Sequence, residues 1–219
     1  MQEVKCSIAD PQLNWSEISK MSYVCCIRTA EGFVAASDTR SCTNPHQYGF
    51  SYNDNFQKIY VLEDKHTLIA QVGNNCPNGV WFPQLISLLQ ATLSDAPTVD
   101  EVINNIRAII GDIDDQRVAS VYLIVANNEI AFFTHKYVPI GCPPEEHIKR
   151  FTKDTNAVDM GVYSGICYRL GHRAFSIDEA PQLARELVKI AIQKSEILED
   201  TPTVGGNVDI KILYNHKYS

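Results

Sequence analysis

Short apolar runs separated by turn-forming residues predict a β-hairpin near the start of this chain. Residues 22–28 and 33–38 are apolar, cysteine-rich or β-branched runs, and a polar turn at 29–32 separates them. The exit of the second strand of such a hairpin lies beside the entrance of the first, so we expect Ser22 and Asp38 to be neighbours. A hydroxyl beside a carboxylate at a strand end is a candidate reacting centre. The alternative is a buried hairpin that merely begins with serine.

Further strands are predicted where β-branched and aromatic residues cluster or alternate between turn signals. The segments are 57–62, 66–72, 118–126, 129–135 and 207–213. Asn127 and Asn128, between the third and fourth of these, permit the positive φ angles of a tight turn. Lys58 shares a face with bulky neighbours in the first segment, and a lysine there is usually an edge residue whose charged head stays in water.

Apolar stripes of helical period predict three longer helices. The first covers 82–89, and the second follows the capping box Thr98-x-x-Glu101. The third runs from a cap at Asp178 to about Glu196 and has Pro181 in its first turn. A single helical turn is predicted at 14–20, and loops at 41–56 and 137–158. Two antiparallel sheets face to face, with the helices outside them, satisfy these patterns. We therefore predict an α+β fold arranged as a four-layer αββα sandwich.

The composition narrows the class of protein. A chain of 24.5 kDa with 45% apolar residues suits one domain, predicted at 22–219 after a polar extension or propeptide-like segment at 1–21. The net charge of −7 argues against nucleic acid or an anionic membrane as partner. No apolar run approaches the roughly 18–20 residues that span a bilayer, and the first residues lack a signal-peptide layout. We therefore expect a cytoplasmic protein.

The cysteines and histidines do not indicate a metal or a disulfide framework. The chain has 7 cysteines without C-x-x-C spacing, which favours reduced thiols. Cys142 and His147 are the nearest approach to a metal pair, but they lack a second pair at zinc-finger spacing. We expect no metal, nucleotide or other cofactor.

Three motifs follow one another in the first part of the chain: Ser22-Tyr-Val-Cys-Cys-Ile-Arg, Gly32-Phe-Val-Ala-Ala-Ser-Asp38-Thr-Arg40 and Phe56-Gln-Lys58-Ile-Tyr. They resemble motifs of proteasome β-type subunits, and most closely those of their bacterial relative Anbu. Two later stretches, Gly161-Val-Tyr-Ser164-Gly165 and Val204-Gly205-Gly206-Asn-Val-Asp209-Ile, are similar to further family motifs in the same order.

The resemblance implies an N-terminal nucleophile (Ntn) hydrolase that cleaves peptide bonds. Ser22 falls on the nucleophile position, and its own free α-amine, with a pKa near 8, would serve as base. Asp38 and Lys58 fall on the family's carboxylate and lysine, which activate the hydroxyl. Ser164 falls on a serine that helps to relay protons, and backbone donors near Asn74-Asn75 are expected to form the oxyanion hole.

This sequence departs from the family pattern at three places. Twenty-one residues precede Ser22, and Met21 stands where self-cleaving relatives have glycine. The interval from Asp38 to Lys58 is a few residues longer than is typical. In the glycine-rich turn, the family's Asp aligns with Asp200 or Thr201 and its Ser with Thr203 or Val204. We favour Asp200 and Thr203, because both keep the chemistry.

Three functions therefore remain open. The first is an active serine-type Ntn endopeptidase acting on peptides or proteins, whose Ser22 is exposed by processing or by translation that starts at Met21. The second is a non-catalytic, α-like structural subunit of a proteasome-like assembly. The third is an Ntn amidase that acts on a small amide. The resemblance also implies a homo-oligomer in the form of a ring or spiral, and it leaves any partner ATPase unknown.

Overall fold

The computed structural model describes residues 22–42, 52–111, 119–136, 145–200 and 202–215. The segment 1–21, with its predicted helical turn, lies outside the described residues. The strands are β1 Tyr23–Arg28, β2 Gly32–Asp38, β3 Ser41–Cys42, β4 Tyr52–Asn53, β5 Ile59–Leu62, β6 Thr67–Gly73, β7 Ser120–Ala126, β8 Glu129–Lys136, β9 Glu145–Phe151, β10 Ala157–Gly161 and β11 Val208–Tyr214. The helices are α1 Phe82–Thr92, α2 Val99–Ile110 and α3 Ala180–Leu198.

Two antiparallel sheets organise the described chain. The first has the strand order β10-β1-β2-β11, and the second has the order β5-β6-β7-β8-β9. The predicted hairpin is confirmed, with Val24 opposite Ser37 and Arg28 opposite Phe33. β2 is buried along its whole length because β1 and β11 flank it and both of its faces are covered.

Apolar residues pack on both faces of each sheet. The two sheets share a cluster that includes Val24, Ala35, Ile59, Leu68 and Leu123. Helices α1 and α2 pack with the other face of the second sheet in a cluster that includes Phe82, Leu85, Ile103, Tyr122 and Phe133. Helix α3 packs on the other face of the first sheet in a cluster that includes Tyr23, Cys25, Val34, Leu187 and Val188. The fold is therefore α+β, and its helices cover the sheet faces that the two sheets do not share.

Several local predictions are confirmed by the backbone. The Thr98 side chain accepts a hydrogen bond from the Glu101 N–H and caps α2. The Glu101 carboxylate accepts hydrogen bonds from the Ser94 N–H and hydroxyl. It therefore does not bond back to the Thr98 N–H, as the second hydrogen bond of a capping box would require. Asn127 and Asn128 have φ angles of 48° and 61°, as the predicted turn between β7 and β8 requires. In the described residues no helix is long and apolar enough to cross a membrane.

The predicted loop at 137–158 is wrong where the structure describes it. β9 pairs with β8, and β10 pairs with β1. β9 was missed because it is an edge strand whose charged side chains hide the alternation, as in Glu145-Glu146-His147-Ile148-Lys149-Arg150-Phe151. The predicted loop at 41–56 likewise contains the short pair β3 and β4.

Two predictions at element ends are also wrong. Asp178 is not the cap of α3, because the N-cap residue is Glu179, whose N–H donates to the Ser176 hydroxyl. Lys58 lies directly before β5 rather than inside a strand, and its side chain is 3% exposed instead of solvated. Within the helix predicted at 82–89, Leu88 faces outward and is 40% exposed.

Candidate active site

The hairpin and the start of β5 bring Ser22, Asp38 and Lys58 together. The Lys58 Nζ donates to Ser22 Oγ at 2.7 Å and to Asp38 Oδ1 at 2.9 Å. The Asp38 and Lys58 side chains are 0% and 3% exposed, and Ser22 is 6% exposed. A buried ammonium group thus bridges a hydroxyl and a carboxylate, which is an arrangement suited to proton transfer at the hydroxyl.

Backbone donors from three separate segments hold the Asp38 carboxylate. The Tyr23 N–H donates to Oδ1 at 2.9 Å. The N–H groups of Arg40 and Gly205 donate to Oδ2 at 3.2 and 3.1 Å. Because Lys58 adds a fourth hydrogen bond, both carboxylate oxygens are satisfied although the side chain is fully buried. Asp38 is therefore fixed in position and can in turn orient Lys58.

Burial changes the proton affinity of the Lys58 amine. Removal from water lowers the pKa of Lys58, and the neighbouring Asp38 opposes this shift without cancelling it. The amine therefore gives up its proton more readily than an exposed lysine does. That property suits a group that exchanges protons with Ser22 Oγ across a hydrogen bond.

The backbone of Ser22 is held in a conformation that serine rarely adopts. Its φ angle is 79°, in the left-handed region. The Val162 N–H donates to the Ser22 carbonyl at 2.9 Å, and Tyr23 pairs with Gly161 in the sheet. Positive φ at a residue other than glycine costs about 1–3 kcal/mol and persists when the surroundings enforce it. The end of β10 thus fixes the nucleophile candidate from the side opposite β2.

Gly161→Ala is expected to displace Ser22, because a Cβ at Gly161 would lie 2.2 Å from the Ser22 carbonyl oxygen. Gly165→Ala is a matched control, since the φ angles are similar, 104° and 99°, but a Cβ at Gly165 meets no atom within 4 Å. Both variants place a residue other than glycine at a positive φ angle, which costs about 1–3 kcal/mol in each. We expect only Gly161→Ala to lose further stability and activity, as measured by thermal unfolding and peptide hydrolysis. Equal losses in the two variants would contradict the proposed contact.

Ser164, Asp200 and Thr203 are the other predicted site residues. Ser164 is exposed in the turn after β10, and Asp200 is exposed after α3. The Thr203 hydroxyl donates to Glu199 at 2.7 Å. No hydrogen bond within the described ranges joins any of the three side chains to Ser22, Asp38 or Lys58, so their catalytic roles stay predictions. The expected oxyanion donor at Asn74 is occupied, because its N–H donates to the Ala119 carbonyl at 3.2 Å.

A cavity of about 480 Å³ lies between β8, β9 and the end of β10. Its apolar walls include Phe132, Phe151 and Met160, and Gly161 and Ser164 lie at its border. Ser22, Asp38 and Lys58 are not among its lining residues. The cavity thus adjoins Gly161, which pairs with Tyr23 beside Ser22. In the part of the chain that the structure describes, no group of three or more His, Cys, Asp or Glu residues could hold a metal ion.

Arg40 is a site residue that the sequence did not identify. Its guanidinium makes a bidentate contact with Asp54, with distances of 2.7 and 2.9 Å, and it also donates to the Pro202 carbonyl at 3.2 Å. The Arg40 and Thr39 N–H groups both donate to the Gly205 carbonyl. Arg40 therefore anchors the glycine-rich turn beside Asp38. Its partner Asp54 lies in a segment that the sequence predicted as loop, so no local pattern indicated the pair.

Comparisons with known proteins identify the fold. No protein-family model and no curated protein matches the sequence. The structure is similar to Anbu from Yersinia bercovieri, with a TM-score of 0.56, 21% identity, and coverage of 88% of this chain and 82% of that one. An Anbu Gly-1 mutant from Hyphomicrobium sp. strain MC1 has a TM-score of 0.55 and 17% identity, with 88% and 81% covered. BPH from Thiobacillus denitrificans, in complex with epoxomicin, has a TM-score of 0.56 and 18% identity, with 88% and 98% covered. The sequence resemblance to Anbu is thus confirmed as a similarity of fold.

Proposed function

We propose that this chain, which has the fold of the Anbu structures, is an Ntn peptidase with Ser22 as nucleophile. The observation that supports the proposal most is the buried Lys58 amine, 2.7 Å from Ser22 Oγ and 2.9 Å from Asp38. The similar fold of BPH, a protein solved with epoxomicin, favours the same class of activity. We further propose the four-layer αββα arrangement, self-assembly into a homo-oligomer and a cytoplasmic location.

The proposed mechanism begins with a free α-amine on Ser22. A neutral amine with a pKa near 8 takes the proton of Ser22 Oγ, and the oxygen forms a bond to the carbonyl carbon of the substrate peptide. The tetrahedral intermediate collapses, the C–N bond of the substrate breaks, and the protonated α-amine of Ser22 gives its proton to the departing nitrogen. The acyl part of the substrate stays on Oγ as an ester. Water then hydrolyses the ester and restores the hydroxyl. Lys58 stabilises the developing negative charge on Oγ, and Asp38 keeps Lys58 oriented.

The strained backbone of Ser22 favours release of the amine. The φ angle of 79° exists only while a residue precedes Ser22, because that torsion includes the preceding carbonyl carbon. Cleavage before Ser22 therefore removes a strain of about 1–3 kcal/mol. Met21 stands where self-cleaving relatives have glycine, so removal of Met21 after translation from that residue is a second route to the same amine.

Mass spectrometry of the purified protein, combined with hydrolysis of fluorogenic peptides, tests the proposal. We expect a species that begins at Ser22 and that hydrolyses peptides. An intact chain beginning at Met1, without hydrolysis, would instead indicate the non-catalytic α-like subunit. A species that begins at Ser22 but hydrolyses only small amides would indicate an amidase.

A further inference from the structure

We propose that Glu199 is a positioning residue of this centre. Its carboxylate forms hydrogen bonds with two segments, of which one holds Asp38 and the other holds Ser22. The inference rests on the proposed function. Glu199 Oε2 accepts hydrogen bonds from the Thr203 N–H at 2.8 Å and from the Thr203 hydroxyl at 2.7 Å. Glu199 Oε1 accepts from the Tyr163 hydroxyl at 2.7 Å. A single side chain after α3 therefore connects the turn after β10 with the turn before β11.

The first connection leads to Asp38. Thr203 N–H also donates to the hydroxyl of buried Ser195 at 3.0 Å, and the Val204 N–H does so at 3.1 Å. The next residue, Gly205, donates its N–H to Asp38 Oδ2 at 3.1 Å. Because these residues are consecutive, the position of Thr203 fixes the position of the Gly205 donor. Glu199 thus acts on Asp38 through a short, fully hydrogen-bonded turn.

The second connection leads to Ser22. Tyr163 has a φ angle of 65°, so its backbone is held in the left-handed region. It lies between Val162, whose N–H donates to the Ser22 carbonyl at 2.9 Å, and Ser164. The Lys194 amine lies 5.8 Å from the centre of the Tyr163 ring and adds a cation–π contact. The bond to Glu199 therefore restrains the segment that binds the nucleophile.

Electrostatics keep the Glu199 carboxylate charged. Partial burial alone would raise the pKa of Glu199, but hydrogen bonds from Thr203 and Tyr163 outweigh it, so its pKa lies below the ordinary value. Burial and the neighbouring Glu199 raise the pKa of Tyr163 to about 12. The pKa of Tyr163 therefore reports the charge of Glu199, and it can be measured without an activity assay.

The arrangement adds a residue to the sequence-based assignment. The resemblance favoured Asp200 and Thr203 as direct participants near the nucleophile. In the structure the adjacent carboxylate, Glu199, makes the contacts, and the Thr203 hydroxyl is one of its donors.

Glu199→Ala, Glu199→Gln and the control Glu196→Ala test the proposal in the full-length protein. Glu196 is exposed on α3, three positions before Glu199. We expect Glu199→Ala to lower kcat for peptide hydrolysis by about 10–100-fold with little change in KM, since displaced supporting groups cost that much. Glu199→Gln is expected to restore most of kcat, because its amide oxygen can accept from Thr203 and its NH₂ can donate to the Tyr163 oxygen. Glu196→Ala is expected to match the wild type.

Titration of Tyr163, followed by NMR of labelled tyrosine and assigned with Tyr163→Phe, is the second measurement. In both Glu199 variants the pKa of Tyr163 is expected to fall below about 12, although burial still keeps it above the ordinary value for tyrosine. An unchanged Tyr163 pKa would overturn the contact itself. A lowered pKa with wild-type kcat in Glu199→Ala would overturn the positioning role alone. A wild-type protein that hydrolyses no peptide would overturn the proposed function, and the inference with it.

Discussion

Peptide hydrolysis by Ser22→Ala is expected to fall on the order of 10⁶-fold, the loss seen when a serine nucleophile is removed. The reason is that Lys58 and Asp38 keep their mutual hydrogen bond but no hydroxyl remains to attack the substrate. Steady-state hydrolysis of a fluorogenic peptide at matched enzyme concentration measures the effect. The variant should fold normally, because Ser22 contributes one small side chain to the centre.

Ser22→Thr is the matched variant. It keeps a hydroxyl on the same carbon and should retain measurable turnover once residue 22 is the first of the chain. Before processing, its β-branched side chain is strained at the φ angle of 79°, so we expect the threonine precursor to be less stable than the serine precursor. Full activity in Ser22→Ala would exclude Ser22 as nucleophile, whatever the behaviour of the threonine variant.

Lys58→Ala is expected to lower the rate of hydrolysis by about 10²–10⁴-fold, the range for a lost acid–base group. Lys58→Met should lose as much, because it fills the space without supplying a charge or a donor. Lys189→Ala, which removes an exposed lysine from α3, should leave the rate unchanged. A rate near that of the wild type in Lys58→Met would contradict the role of Lys58 in activating Ser22.

Stability provides an independent test of the Lys58 environment. Removing one partner of a buried ion pair typically costs about 3–5 kcal/mol. We expect less here, because Asp38 retains three backbone donors. Since the pKa of Lys58 is lowered in the folded state, the unfolded chain binds the proton more tightly, and stability should rise with pH up to the ordinary value of 10.5. That rise should be absent from Lys58→Met.

The sequence predicted the hairpin correctly, because both strands are short apolar runs around an evident turn. The proximity of Ser22 and Asp38 follows from that geometry alone. The Lys58 contact needed the resemblance, since an isolated lysine beside a strand is usually solvated. β9 could not be predicted, because only pairing with β8 makes its charged sequence a strand. Glu199 was missed because its partners lie in turns that only the tertiary fold brings together.

The three donors to Asp38 have a consequence for biosynthesis. The Tyr23 N–H lies 15 positions from Asp38, whereas the Gly205 N–H lies 167 positions away. A ribosome-bound chain that has made only the first hairpin therefore holds Asp38 by nearby donors such as the Tyr23 N–H. The Gly205 hydrogen bond can form only after the chain has been synthesised to that residue, so the full set of hydrogen bonds to Asp38 is completed late in synthesis.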